Sequence, residues 1–385
     1  MISKIFTGVE YLKYLLYKPS IYNIMWLNYA VTYRCNSRCL MCSIWETKTN
    51  PELEKEELTL EEIGELLKSP LLKNLNGINF TGGEAFLRSD IVDLIGTFIK
   101  KYPRAFIGVA SNGFNSKSIV EKVKEIKERY APKQFRVCFS MDGLFEKHDQ
   151  LRGVPGAFER VNRSIELLKA EKINIGVDFT ITPWNHKDLL SVYQYANEKN
   201  IKFTASFAHH SEYYNNVQTR FDWGKKDLDD IQHSLKTIAQ EELKRESLPK
   251  KIVDPNLYFL LHCVRHQENK RMDYKCYSGT HSLLLDPYGN VFPCVILGRK
   301  MGNIKEMDFD HIWLSKEAEA IRESIKTDKC RCWVGCDVLP SMLRNCNAIK
   351  WNLKNKFLSN FNSFENPHSD MNATKQINPR NESQS

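Results

Sequence analysis

The sequence predicts an α/β fold, a partial (β/α)6 TIM-like barrel with a small cysteine-rich α+β extension at its C-terminal end. Three observations predict it. Strand-like and helix-like runs alternate six times between residues 25 and 225, the pattern of a parallel sheet with right-handed crossovers. Polar and glycine signals fall at one end of each strand, as "YRCNSRC", "TGGE", "SNG", "SMDG", "TITPWN" and "AHH". In a parallel barrel the chemistry collects at the C-terminal strand ends. From Cys276 the character changes and cysteines recur. Six units fit an open partial barrel as well as a doubly wound sheet.

The elements follow in order. Residues 1–24 are expected to form an amphipathic helix ended by Pro19. It would pack on the main domain, rest on a membrane surface or grip a substrate. Residues 25–225 hold the barrel. Its strands are "MWLNYAVTY" (25–33), "GINFTGG" (77–83), "AFIGVASNG" (105–113), "QFRVCFSMDG" (134–143), "NIGVDFTITPWN" (174–185, stopped by Pro183) and "IKFTASFAHH" (201–210). Helices are expected over 59–69, with Thr59 as N-cap and acids in the first turn, and over 89–102, 116–130, 157–172 and 186–200. A helical bridge spans 226–272. Residues 273–350 form the cysteine-rich extension, opening on a hairpin that turns at Pro287-Tyr288-Gly289-Asn290. Residues 351–385 are polar, rich in Asn and Ser, and expected to be disordered.

Composition bounds the function. The 385 residues suit one large domain plus a smaller one. The net charge of +8, from 55 basic and 47 acidic residues, is mild for this length, and no basic stripe interleaves with aromatics. Nucleic-acid binding is therefore not expected. No run approaches the ~18–20 apolar residues of a spanning helix, and the N-terminus does not read as a signal peptide. The expected compartment is the reducing cytoplasm, with peripheral membrane contact left open. There, the eleven cysteines read as metal ligands or buried thiols rather than disulfides.

Cys35, Cys39 and Cys42 lie in "YRCNSRCLMC" with CX3CX2C spacing and no fourth cysteine nearby. Structural zinc prefers four ligands. Catalytic zinc favours histidine and carboxylate, and no histidine is close in sequence. Three thiolates suit a [4Fe–4S] cluster whose fourth iron stays open to an exogenous ligand. CX3CX2C after the first strand, with Gly82-Gly83-Glu84 after the second, resembles the radical S-adenosylmethionine (radical SAM) enzymes. "SNG" (111–113), "SMDG" (140–143) and "HDQLRGVPGAF" (148–158) extend the likeness, which with the cysteine-rich end runs from 25 to 346. A zinc-binding interaction module is the alternative.

The resemblance implies that S-adenosylmethionine chelates the open iron. One electron then cleaves a carbon–sulfur bond, and a 5′-deoxyadenosyl radical takes hydrogen from a substrate. An electron donor such as flavodoxin or ferredoxin is implied. Gly82 and Gly83 would let backbone approach the cofactor's methionine portion, and Glu84 would receive its ammonium. Ser140 and Arg152 match the serine and arginine that contact carboxylate and ribose in relatives. Ser111 and Asn112 would face the same pocket. "SNG" also reads as a turn, Asp142 as a turn cap, and Arg152 as a partner for a surface carboxylate. Met41 departs from the family, which places an aromatic there near the adenine; Trp45 is a substitute ring.

Of the other cysteines, Cys138 and Cys263 sit in apolar runs and read as core. Cys276 through Gly289 to Cys294 reads CX12GX4C, which resembles the opening of the SPASM/twitch extensions that hold auxiliary [4Fe–4S] clusters. The remainder, CXCX3C and then Cys346, departs from the usual CX2CX5CX3C and supports one auxiliary cluster rather than two. Cys276, Cys294, Cys332 and Cys336 are its expected ligands, with Cys330 doubtful because CXC spacing is cramped. Zinc is the rival occupant. His281, His209 and His210 read as core or surface, although the latter two end a strand that faces the cavity. Val295 stands where sulfatase-maturing relatives carry an aspartate, which disfavours that activity. The expected substrate is a small molecule, sugar or lipid-linked metabolite, or alternatively a ribosomal peptide. No residue is assigned to the hydrogen transfer itself.

Overall fold

A computed structural model describes residues 20–47, 51–245, 259–260, 262–266, 274–327, 330 and 332–342. The expected N-terminal helix lies almost wholly outside the described residues. So do much of the 226–272 bridge, Cys346 and the 351–385 tail.

Six strands form a parallel set: β1 Trp26–Thr32, β2 Gly77–Gly82, β3 Phe106–Ser111, β4 Gln134–Ser140, β5 Ile175–Ile181 and β6 Lys202–Phe207. The hairpin strands β7 Ser282–Leu285 and β8 Asn290–Phe292, with the short β9 Gly302–Asn303, continue the same sheet. The order is β6-β5-β4-β3-β2-β1-β7-β8-β9. Thus the start of the cysteine-rich region pairs directly with the first barrel strand, Leu27 opposite Leu283 and Tyr29 opposite Leu285, both strands parallel. All seven residues of β1 are buried, as expected of a parallel strand covered on both faces.

The strands alternate between two environments. Leu27, Tyr29, Ile78, Phe80, Ile107, Val109, Val137, Phe139 and Val177 join one apolar core with the inner faces of the crossover helices. Those helices are α1 Leu60–Leu66, α2 Ile91–Lys101, α3 Ser116–Tyr130, α4 Phe145–Arg152, α5 Ala157–Ala170, α6 Leu189–Glu198 and α7 Lys225–Arg245. The opposite strand face carries Asn28, Asn79, Gly108, Cys138, Asp178 and Thr204, which line a cavity of roughly 240 Å3. Thr59 caps α1 in a reciprocal box: its hydroxyl accepts from Glu62 N at 3.2 Å, and Glu62 accepts from Thr59 N at 2.8 Å. Helix α4 has no counterpart among the expected elements. It is eight residues of mostly polar sequence, FEKHDQLR, too short to show an apolar period, and it ends on Gly153 at φ 62. After the hairpin come α8 Phe309–Leu314, α9 Lys316–Thr327 and α10 Gly335–Met342. The hairpin turns where expected, closed by Gly289 N to Asp286 O at 3.2 Å with Gly289 at φ 88.

Candidate functional site

The loop after β1 carries Cys35, Cys39 and Cys42 and is pinned by the end of α4. Arg38 N and Leu40 N donate to Arg152 O and Leu151 O at 2.8 and 3.0 Å. The Ser37 hydroxyl donates to Arg152 O at 3.1 Å. Donors converge on two of the three sulfurs. Ser37 N donates to Cys35 Sγ and Arg152 Nη1 to Cys39 Sγ, both at 3.4 Å, while Ser37 Oγ, its hydrogen committed to Arg152 O, lies 3.0 Å from Cys39 Sγ. Burial pushes the bare Cys35 and Cys42 thiols up to about 12. Thiolate at neutral pH there calls for bound positive charge, and the convergent donors suit such a ligand set. Among the described residues, no group of three or more His, Cys, Asp or Glu is gathered as for a single metal ion. Three thiolates without a histidine or carboxylate beside them suit a cluster that leaves one iron open.

The glycines after β2 act against this loop. A Cβ at Gly82 would lie 2.1 Å from Thr32 O, and one at Gly83 2.2 Å from Arg34 O. The space that their missing side chains leave is filled by backbone of the cysteine loop, which pairs as Gly83 N to Thr32 O and Glu84 N to Arg34 O, both 2.8 Å. Glu84 is buried, and its carboxylate accepts from Phe86 N at 3.1 Å, Ser111 Oγ at 3.0 Å and Asn112 N at 2.6 Å. Asn112 Nδ2 reaches Asn36 Oδ1 at 2.6 Å. Residues of β1, β2 and β3 ends therefore meet in one network, and "SNG" supplies more than a turn. Burial raises the Glu84 carboxyl, against the pull of those donors.

Arg152 pairs with a buried carboxylate, Asp142, rather than a surface one. Asp142 also accepts from Thr180 N at 2.7 Å, and its own N–H donates to His148 Nδ1 at 3.1 Å. Arg152 Nε is buried and has no partner among the described residues, which leaves one donor for a ligand. Burial raises the Asp142 carboxyl, and holds His148 neutral by lowering it to about 3. Ser140, at the end of β4, is half-buried and its hydroxyl has no partner among the described residues. Met41 is buried against Cys39, Cys42, Leu151 and Ala208. Trp45 instead stacks under the Arg38 guanidinium at 4.5 Å.

The second cysteine set assembles beside the cavity. Cys276 precedes β7, Cys294 follows β8, and Cys332 and Cys336 flank the start of α10. Burial raises all four thiols, and they raise one another: Cys332 senses Cys276, Cys294 and Cys330, and Cys336 senses Cys294. Cys330 thus lies within electrostatic reach of the group. Cys263 is buried in the core, whereas Cys138 is buried on the strand face that lines the cavity. His281 packs edge-on against Tyr277, and exposed His210 hydrogen-bonds Thr219 O at 2.6 Å.

Two connections escaped the sequence. Asp337, fully buried beside Cys336, accepts from Asn28 Nδ2 and from Val295 N, both at 3.2 Å. Burial pushes its carboxyl up to about 7. His209 joins Phe207 O at 2.7 Å and Trp333 N at 3.0 Å. The available signal was Asn28 itself, a lone amide in the otherwise apolar "WLNYAV".

Comparison with known proteins agrees with this geometry. The Radical SAM superfamily profile matches residues 29–196, and an iron–sulfur cluster-binding domain profile, SPASM, matches 276–337. An AdoMet-dependent heme synthase of Methanosarcina barkeri is 24% identical over 311 residues, 77% of this chain and 83% of that protein. The Fe-coproporphyrin III synthase of the same organism is 31% identical over 172 residues, which is 44% of this chain and only 40% of that protein. The fold is similar to native anSMEcpe with bound AdoMet, at 17% identity and TM-score 0.55, covering 86% of this chain and 97% of that one. It is also similar to Streptococcus suis SuiB bound to S-adenosylmethionine, at 17% and 0.53, covering 78% and 68%. At such identities the likeness to solved structures is one of fold. With a cysteine loop and GGE network at the barrel end and a second cysteine set behind it, this chain belongs to the radical SAM superfamily, as an enzyme carrying a SPASM iron–sulfur domain.

Proposed function

We propose that the enzyme acts on a small metabolite held in the lumen cavity, and that it carries a [4Fe–4S] cluster on Cys35, Cys39 and Cys42 and a single auxiliary cluster on Cys276, Cys294, Cys332 and Cys336. The observation that carries this reading is the cavity: roughly 240 Å3, walled by Asn28, Asn79, Asp178 and Thr180 from the barrel and by Cys336 from the second set. A space of that size favours a compact substrate over a folded peptide. The heme-synthase names of the sequence relatives favour a non-peptide substrate, and Val295 after Cys294 argues against sulfatase maturation. When bound, the cluster and S-adenosylmethionine supply one-electron carbon–sulfur cleavage and hydrogen abstraction. The chain's own residues do the rest. Ser111 and Asn112 fix the Glu84 carboxylate, the group suited to the cofactor's ammonium. Asp142 fixes Arg152, whose Nε suits a carboxylate or hydroxyl, and Ser140 offers its hydroxyl at the end of β4. Met41 gives an apolar wall where relatives place a ring. The division into barrel (25–225), bridge (226–272) and auxiliary region (273–350) belongs to this reading, as does a flavodoxin or ferredoxin as electron donor. No described helix is long and apolar enough to cross a membrane.

Anaerobic reconstitution tests it. The chain should bind about eight irons, two four-iron clusters, and release 5′-deoxyadenosine from S-adenosylmethionine when reduced. Cys39→Ala should keep about four irons and lose that release. A low-mass fraction of source-cell extract should accelerate release. Tight zinc with no iron uptake would sink the cluster assignment, and acceleration by a peptide fraction alone would sink the small-molecule one.

A further inference from the structure

The segment Cys332–Asp337 forms part of the cavity wall through Val334, Gly335 and Cys336. Its two ends are fastened to the barrel by side chains, and the fasteners come from the two ends of the six-strand parallel set, β6 and β1. At one end, Trp333 N–H donates to His209 Nε2 at 3.0 Å. That nitrogen is therefore unprotonated, so Nδ1 carries the hydrogen and donates to Phe207 O at 2.7 Å. The ring is neutral and held at both nitrogens, just past the end of β6. At the other end, Asn28 Nδ2 of β1 donates to Asp337 Oδ1 at 3.2 Å. The Asn28 amide cannot turn over, because its Oδ1 accepts from Asn79 Nδ2 at 3.0 Å. Asp337 Oδ2 accepts from Val295 N, next to Cys294. His209, Asn28, Asp337 and Val295 are all buried, so breaking any one bond leaves a buried polar atom unsatisfied.

We propose that His209 and Asn28 are positioning residues of the auxiliary centre. Reaching from opposite ends of the parallel set, they stretch the segment across the cavity mouth. That places Cys332 and Cys336 against Cys276 and Cys294. The Asp337 carboxylate sets the distance between the hairpin cysteine Cys294 and the helix cysteine Cys336. The cavity wall and the second cysteine set are thus built by the same hydrogen bonds, and the barrel, rather than the extension, supplies the template. The proposal rests on the reading that this set holds an iron–sulfur cluster.

The test uses the full chain with Cys35, Cys39 and Cys42 changed to alanine, so that only the second set can hold iron. This background should bind about four irons. Asn28→Asp sets two carboxylates face to face, and Asp337→Asn removes one of the two acceptors, so each should lose most of the iron and the visible absorption of the cluster. The double variant Asn28→Asp/Asp337→Asn restores every bond in reversed polarity. The amide introduced at position 337 would donate to the carboxylate introduced at position 28 and accept from Val295 N. That carboxylate would still accept from Asn79, and iron and spectrum should return. His209→Phe should lose the cluster, and His209→Gln, whose Oε1 can accept from Trp333 N–H, should regain it. In the otherwise wild-type chain the single variants should fall from about eight irons to about four, which shows that the barrel is still folded. Full iron in the single variants, or no recovery in the double variant and His209→Gln, overturns the proposal and leaves the cluster assignment standing. A background that binds no iron at all overturns both.

Discussion

Replacing Gly83 by alanine should unseat the cysteine loop. The added Cβ would lie 2.2 Å from Arg34 O and 2.7 Å from Tyr33 O, both backbone atoms. Ordinary carbon–oxygen contacts begin at about 3.3 Å, so the loop must retreat by about 1 Å. Two 2.8 Å backbone bonds, Gly83 N to Thr32 O and Glu84 N to Arg34 O, hold it where it is. Overpacking costs about 1–3 kcal/mol, and weakening two such bonds adds up to about 1 kcal/mol each. The expected loss is about 2–4 kcal/mol. Gly64→Ala is the matched control: it sits in α1 with nothing within 4 Å of its added Cβ. The same chemical change there should stabilise by about 0.5–1 kcal/mol. The assay is anaerobic urea unfolding of the metal-free chain, followed by iron counting after reconstitution. Gly83→Ala should unfold at lower urea and lose the irons of the first cysteine set while keeping those of the second. A Gly83→Ala midpoint equal to the parent's, with full iron, would refute the steric reasoning.

Two further outcomes follow from the Arg152 cluster. The folded state holds His148 at about 3, against an ordinary 6.5, because burial and Arg152 disfavour its charged form. Its contribution to stability is complete above pH 6.5 and is lost as pH falls towards 3, by about 2 kcal/mol at pH 5. His148→Asn, which keeps an acceptor for Asp142 N, should flatten that part of the stability–pH curve; an unchanged slope between about pH 6.5 and 4 would contradict it. Asp142→Asn removes the charge from a buried pair and leaves Arg152 uncompensated, which should cost about 3–5 kcal/mol. Unfolding free energies at neutral pH measure it, and a loss below about 1 kcal/mol would show that Arg152 finds other compensation.

Much of the architecture was legible because its causes are local. Each strand of the parallel set reads as a short apolar run, and α3 runs Ser116–Tyr130, the full stretch that periodicity marks. The Thr59 box spans only four residues, and the Asp286–Asn290 turn only five. CX3CX2C and GGE are likewise contiguous, so the motifs that resemble the superfamily lie in short stretches of the chain. Helix α4 was not legible, because eight mostly polar residues show no apolar period. The partners of the site residues were equally hidden. Arg152 could have met any carboxylate, and only the proximity of the β4 end to α4 chose Asp142. Sequence alone determined the six barrel strands and most of the helices between them, since hydrogen bonding and periodicity act over a few residues. Tertiary structure decided that β7 lies against β1, that Asn28 meets Asp337 across 309 residues of chain, and that His209 meets Trp333. Such pairings follow from strand order and from the need to satisfy buried polar atoms in three dimensions, neither of which is written within any short stretch of the chain.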